Sequence, residues 1–287
     1  MELRRTTVDG PDDGTYGLAY ADWGDPGAAR TVVCVHGLTR NGRDFDALAA
    51  ALADGLGVRV ICPDIVGRGR SDWLRDPARY AVPTYIGHLI QLLAHLNVSA
   101  PVDWVGTSMG GLIGMGLAAA TENSPIRRLV LNDVGPFLPK AALERIGGYL
   151  GRGGAQRFDG LEALEAYLRE VHAPFGPLTD AQWRHLAEHS ARRLDDGRLA
   201  LAYDPAIAAA FETEEHQDLD LWEHWDRITC PVLVLRGAES DLLLPETARE
   251  MTRRGPKAEL VEFEGVGHAP ALMAEDQIAA VKRWLGG

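Results

Sequence analysis

The segment around Ser108 constrains the fold of this chain more than any other part of the sequence. It reads Gly106-Thr107-Ser108-Met109-Gly110 and stands between the apolar run 102–105 and a stretch of small residues that predicts a helix. Glycines on both sides of a serine permit a tight turn between strand and helix, because side chains there would collide with the neighbouring elements. The sequence therefore predicts a serine hydroxyl held out at a strained turn, where a small molecule can reach it.

Strand and helix patterns alternate on both sides of this turn. We predict a hairpin over 16–23 that turns at 24–27, and then strands at 31–35, 58–62, 102–105, 128–132, 231–235 and 258–263. Helical patterns cover 45–53, 84–96, 109–121 and 272–285. Such alternation is typical of an α/β fold with a doubly wound, mostly parallel sheet.

The alternation stops in the middle of the chain. From 136 to 226 no convincing strand pattern occurs, and helices are predicted at 141–150, 161–171, 180–194 and 205–211. An insertion between two parallel strands is expected above the carboxyl edge of the sheet, where ligands bind. We therefore predict an α/β core formed by residues 1–135 and 227–287, with residues 136–226 inserted as an all-helical cap.

Two further residues complete a catalytic pattern with Ser108. His268 follows the predicted strand 258–263, and Asp241 follows the predicted strand 231–235. A serine is a poor nucleophile without a base, and the imidazole that serves as base needs a carboxylate to fix its tautomer. Asp133, which follows the predicted strand 128–132, is the alternative acid.

These motifs resemble those of the α/β-hydrolase superfamily, and of its bacterial esterase-like members with a helical cap. The residues that carry the resemblance are His36-Gly37, the segment 63–72, Gly106 to Gly111, Gly237 to Asp241 and Gly267-His268. The resemblance extends over nearly the whole chain. It implies a Ser–His–Asp hydrolase that uses no metal and no cofactor, with Ser108 as nucleophile, His268 as base and Asp241 as acid.

The resemblance also implies the remaining parts of the site. Backbone N–H groups of Met109 and Leu38 are expected to form an oxyanion hole, in which one donor contributes about 3 kcal/mol in related sites. Asp241 is preferred to Asp133 because Gly237 and Pro245 flank it as in the acid loop of the family. Asp133 is then expected to anchor the start of the cap.

Substrate-binding residues are less strongly indicated. Arg40 follows the oxyanion segment and could pair with a substrate carboxylate, although a surface salt bridge is the competing interpretation. Trp73 and Phe137 are candidates for an acyl pocket. His172, in the cap region, is expected to be solvated or packed.

Composition excludes several classes of function. The net charge is −12 and the pI about 5.2, which disfavours a nucleic-acid surface. No apolar run is long enough to cross a bilayer, and the first residues lack the apolar region of a signal peptide, so we expect a cytoplasmic protein. The three cysteines show no metal-ligand spacing and are expected to be reduced.

The sequence thus predicts a hydrolase of carboxylic esters with small to medium apolar groups, acting on a small-molecule substrate as a monomer or homodimer. A C–C bond hydrolase for β-diketone-type ring-fission products shares the same triad, and a lactonase or thioesterase would attack the same kind of acyl carbon. A ligand receptor that keeps the fold without turnover is the alternative outside enzymes.

Overall fold

The computed structural model describes residues 1–120, 124–211 and 217–287. Within them an eight-stranded sheet runs in the order β1-β2-β4-β3-β5-β6-β11-β12. Its strands are β1 Glu2–Asp9, β2 Thr15–Trp23, β3 Thr31–Val35, β4 Arg59–Pro63, β5 Val102–Thr107, β6 Ile126–Asn132, β11 Val232–Gly237 and β12 Glu259–Phe263. Strands β4, β3, β5, β6, β11 and β12 are parallel, whereas β1 and β2 pair antiparallel at one edge. The predicted fold class is confirmed.

Helices cover both faces of the sheet because its central strands are apolar on both sides. Strands β3 and β5 are almost entirely buried. On one face the helices are α1 Asp46–Leu56 and α9 Glu275–Gly286, and on the other they are α2 Val82–His95, α3 Met109–Ala119 and α8 Pro245–Met251. The carboxyl ends of the parallel strands are therefore the free edge at which a site can form.

The segment between β6 and β11 is the insertion that the sequence predicts as a cap, and we refer to it as the cap. Its elements are β7 Phe137–Leu138, α4 Lys140–Ala155, α5 Leu161–Val171, α6 Asp180–Ser190, β8 Ala191–Arg193, β9 Leu199–Leu201, β10 Leu219–Asp220 and α7 Trp222–Trp225, with a 3₁₀ helix over Pro205–Phe211. The cap is attached to the core through the loop after β4, where Gly69 N–H donates to Ala202 and Asp204 N–H donates to Gly67.

The structure differs from the sequence prediction in the cap and at the edge of the sheet, and it adds the helices α7 and α8, which were not predicted. The cap is not all-helical, because β8 pairs with β9 and β7 with β10; the helix predicted over 180–194 ends at Ser190 and the chain continues as β8. Strand β1 was not predicted, and the hairpin at the edge is β1–β2 rather than a turn at 24–27. The predicted helix end near 121 and the cap residues 212–216 lie outside the described residues.

No helix in the described ranges has both the length and the apolar character needed to span a membrane.

Candidate active site

Ser108 occupies the turn between β5 and α3 with strained backbone angles, φ 51° and ψ −114°. A Cβ atom on Gly106 would lie 2.3 Å from the Gly110 carbonyl oxygen, and one on Gly110 would lie 2.0 Å from the Val35 carbonyl oxygen. Both positions therefore need glycine. Ser108 N–H donates to the Asn132 carbonyl at 2.9 Å, which fixes the turn against β6. The sequence prediction of a serine on a strained turn agrees with this geometry.

His268 lies in the loop after β12 and reaches across to this serine. Its Nε2 is 3.0 Å from Ser108 Oγ, and its Nδ1 is 2.7 Å from Asp133 Oδ2. A carboxylate only accepts hydrogen bonds, so the Nδ1 proton points to Asp133 and Nε2 is free to accept the hydroxyl proton of Ser108. The three side chains form one continuous hydrogen-bonded chain.

The prediction that Asp241 contacts His268 is wrong. The Asp241 side chain is 53 % exposed, and both of its oxygens accept from the guanidinium of Arg145, with Nη2–Oδ1 at 2.9 Å. The alternative acid, Asp133, stands against the imidazole instead, so it does not serve as an anchor for the cap. Asp241 lies four residues beyond the end of β11 and is half exposed to solvent. Asp133 follows β6 directly and is fully buried.

The carboxylate of Asp133 is fully buried and bound on both oxygens. Oδ1 accepts from Gly237 N–H at 2.8 Å, and Oδ2 accepts from the Ser240 hydroxyl at 2.6 Å as well as from His268. Hydrogen bonds of this kind stabilise a buried carboxylate and fix its direction. Sequence reasoning missed Ser240, whose neighbouring position to Asp241 gave no sign that it serves a different aspartate.

The two expected oxyanion donors belong to residues that line the same cavity as Ser108. Met109 opens helix α3 and Leu38 lies in the loop after β3, and neither N–H has an acceptor among the described residues. His36 shapes this loop, since its Nδ1 donates to the Gly37 carbonyl and its Nε2 accepts from Ile65 N–H at 2.9 Å. Burial lowers the pKa of His36 to about 4, so the ring stays neutral and keeps this pattern.

Arg68 is a residue of this region that sequence reasoning did not single out. It is fully buried, and its Nε donates to the Leu38 carbonyl at 2.8 Å while Nη2 lies 3.6 Å from the sulfur of Met109. Its guanidinium also lies over the rings of Tyr80 and Tyr85. One cation thus contacts both residues that are expected to supply the oxyanion donors. Its place within the segment 63–72 was the available signal.

An apolar cavity of about 490 Å³ opens above Ser108, between core and cap. Cavities of this size are typical of small-molecule sites. Tyr149, on α4, contributes a hydroxyl that is hydrogen-bonded to Thr39. The lining combines side chains of both regions: Leu38, Thr39, Arg40, Tyr80, Tyr85, Met109, Leu112, Leu138, Leu143, Arg145, Ile146, Tyr149, Arg152, Val171, His172, Phe175, Ile207, Phe211, Leu242 and His268.

The predicted substrate-binding residues fare differently. Arg40 lines the cavity, and its guanidinium is bound by both oxygens of Asp44 at 2.7 Å and by Ser190. The side chain is buried, so its salt bridge is not on the surface and its charge is already paired. Among the described residues that line the cavity, neither Trp73 nor Phe137 occurs. Trp73 is exposed and its ring packs against the guanidinium of Arg192, and Phe137 belongs to β7. These two predictions are wrong.

One cluster away from the cavity has the composition of a metal site. The ligand atoms of Asp46, His185 and His189 lie within 4.8 Å of one another. Both oxygens of Asp46, however, accept from Arg43, and His185 Nε2 is bonded to the Arg43 carbonyl at 2.9 Å. A guanidinium on the only carboxylate of the group opposes a cation there. The cluster is explained as a contact between α6 and the start of α1.

Comparison with known proteins agrees with the fold. The model of the "Alpha/beta hydrolase family" matches residues 32–281. A 3-hydroxybutyrate-oligomer hydrolase of Cupriavidus necator is 48% identical over 96% of this chain and 94% of its own length. An esterase of Mycobacterium tuberculosis is 28% identical over 85% of this chain and 76% of its own length. The crystal structure of an alpha/beta hydrolase from Novosphingobium aromaticivorans superposes with a TM-score of 0.84 at 38% identity, covering 99% of this chain and 98% of that one.

Proposed function

The chain belongs to the alpha/beta hydrolase family, and from this premise we propose that it is a serine esterase that hydrolyses short oligomers of 3-hydroxybutyrate. The observation that carries the proposal is the hydrogen-bonded chain from Ser108 through His268 to Asp133 at the floor of the apolar cavity. The choice of substrate is supported by the 48% identical relative named for that reaction.

In the first half of the reaction, the Ser108 oxygen attacks the ester carbonyl carbon while Nε2 of His268 takes the hydroxyl proton. The carbonyl oxygen becomes negative and accepts from the N–H groups of Leu38 and Met109. The C–O bond to the alcohol unit then breaks, and His268 gives its proton to the departing oxygen. The acyl unit remains as an ester on Ser108.

In the second half, water attacks this acyl ester and transfers its proton to His268, which returns it to the Ser108 oxygen. The free acid leaves with its hydroxyl intact. Throughout, the Asp133 carboxylate accepts the hydrogen bond from His268 Nδ1–H and stabilises the imidazolium that forms twice in each cycle. Arg68 holds the Leu38 carbonyl and so positions the loop that supplies one oxyanion donor.

A C–C bond hydrolase is less well supported. The 48% identical relative is named for ester hydrolysis, and Arg40, which would have favoured the alternative, is already bound by Asp44 and Ser190. Lactones and thioesters present the same acyl carbon, so they belong in the test as competing substrates.

The test compares wild-type protein with Ser108→Ala on the 3-hydroxybutyrate dimer and trimer, following release of the monomer by chromatography. We expect wild-type turnover, a loss of at least about 10⁴-fold in Ser108→Ala, and fluorophosphonate labelling at Ser108 only in the wild type. Turnover of a β-diketone, lactone or thioester in place of the dimer would reassign the substrate. A wild-type protein that neither labels nor turns over any of these compounds would be a receptor.

A further inference from the structure

His172 lines the cavity beside the catalytic histidine. It follows helix α5, is only 9 % exposed, and stacks on Phe175 with ring centroids 4.6 Å apart. The loop that carries it is fixed to the His268 loop, since Gly267 N–H donates to the Pro174 carbonyl at 2.7 Å. Its position relative to the reacting atoms is therefore set by the backbone and not by a mobile side chain.

The ring nitrogens of His172 have no hydrogen-bond partner among the described residues, although the side chain is nine-tenths buried. Buried polar groups in folded proteins are nearly always bonded to protein or to a bound molecule. His36 is bonded on both nitrogens, whereas buried His88 has no partner on either nitrogen among the described residues. His172 differs from His88 because it borders the cavity. Because His172 borders the cavity, a partner can reach it there.

The charge state of His172 narrows the chemistry of that partner. Burial, together with the nearby Arg40 and His268, lowers the pKa of His172 well below its usual range, so the ring is neutral. A neutral imidazole offers one donor and one acceptor, which matches a hydroxyl group. It provides no positive charge for a carboxylate.

We infer that His172 hydrogen-bonds the free hydroxyl of the acyl unit and thereby selects hydroxyacyl esters over plain acyl esters. In a dimer of a hydroxy acid the free hydroxyl belongs to the acyl unit, while the leaving unit carries the carboxylate. His172 is thus a specificity-determining residue. The inference depends on the proposed ester hydrolysis and adds to it the feature by which the acyl unit is recognised.

The test measures kcat/KM for p-nitrophenyl 3-hydroxybutyrate and p-nitrophenyl butyrate, which differ by that hydroxyl alone. His172→Phe keeps the ring and the stack on Phe175 but removes both nitrogens. We expect the ratio of the two kcat/KM values to fall by about 10- to 100-fold in this variant, because a site built for a hydroxyl loses its discrimination when the partner is removed. His172→Gln, which retains a donor and an acceptor, should recover part of the ratio.

The matched control is Tyr203→Phe. The Tyr203 hydroxyl is also buried without a partner among the described residues, but it does not line the cavity. Its removal should leave the ratio unchanged. His172→Leu serves as a second apolar variant if His172→Phe does not fold.

The results separate this inference from the function it depends on. If wild-type protein hydrolyses both esters and His172→Phe or His172→Leu leaves the ratio unchanged, or lowers both values equally, the inference is wrong and the esterase function stands. If the wild type hydrolyses neither ester nor the dimer, the proposed esterase function is wrong, and so is the role of His172 that depends on it.

Discussion

Two loops at the carboxyl edge of the sheet each carry an aspartate, yet only one of them meets the histidine. The loop after β6 places Asp133 at φ 59°, fully buried, with its carboxylate bound by Gly237, Ser240 and His268. The loop after β11 leaves Asp241 half exposed and paired with Arg145 of the cap. Two aspartates that follow strands of the same sheet therefore differ in both burial and hydrogen-bond partners.

The difference shows that both loops contribute to one hydrogen-bonded group around the Asp133 carboxylate. The β11 loop contributes Gly237 N–H and the Ser240 hydroxyl, and both donate to the carboxylate that the β6 loop supplies. Position after a strand brings a residue to the correct edge of the sheet. Its depth below the surface and its donors determine whether a carboxylate can orient an imidazole.

The largest expected effect comes from Asp133→Asn. An amide in place of the carboxylate would favour the wrong tautomer of His268, as in serine proteases, where the corresponding change lowers kcat by about 10⁴-fold. We expect a loss of similar size in kcat for p-nitrophenyl butyrate, measured with protein whose melting temperature has been recorded. Activity within tenfold of the wild type would contradict the assignment of Asp133.

Asp64 is a second buried aspartate, and the effect of burial on its pKa can be tested through the stability of the protein. Asp64 accepts from the N–H groups of Gly42 and Arg70 and contacts no catalytic residue, and burial raises its pKa to about 6. The folded state then binds the proton more tightly than the unfolded state, whose pKa is about 3.9. The contribution of Asp64 to stability is therefore full below about pH 4 and is lost as the pH rises through about 6.

Asp64→Asn removes this dependence. Between pH 4 and pH 7 the free energy of unfolding of the wild type should fall relative to the variant by up to about 3 kcal/mol. Urea titrations at a series of pH values measure the difference, and a constant gap across that range would show that Asp64 does not titrate there.

Ser240→Ala should have an intermediate effect on catalysis. It removes one donor from the Asp133 carboxylate, and a hydrogen bond to a charged group contributes about 1.5–3 kcal/mol. We expect kcat to fall by roughly 10- to 100-fold with little change in KM. Ser71→Ala is the matched control, since Ser71 is equally buried and bonds Ala19 and Asp64 instead. Equal losses of kcat in the two variants would mean that Ser240 acts only on stability.

The smallest effect is expected from Asp241→Asn. It breaks an ion pair with Arg145 in which both side chains are about half exposed, and such pairs contribute at most about 1 kcal/mol. We expect kcat/KM within about threefold of the wild type, measured beside Asp133→Asn on the same ester. A loss of several orders of magnitude would return the acid role to Asp241 and reverse the comparison.

The sequence determined the parts of this protein that depend on local patterns. The apolar run before Ser108 and the glycines beside it fix a strand, a turn and a helix, because the clashes they avoid involve neighbouring segments. The alternation of strands and helices likewise indicates the parallel sheet. His268 was predicted as the base because it lies in the loop after the last strand, and the structure places its Nε2 3.0 Å from Ser108 Oγ.

Only the tertiary structure decided which aspartate faces His268 and which side chains border the cavity. Both aspartates follow a strand, and the local pattern favoured Asp241, but the choice between them depends on how the β6 and β11 loops pack together. The surroundings of His172 and Arg68 are formed by distant segments, and the only local signal for either was the place of Arg68 within the segment 63–72. Strand and turn preferences act over a few residues, whereas burial and hydrogen-bond partners are set by segments far apart in the chain.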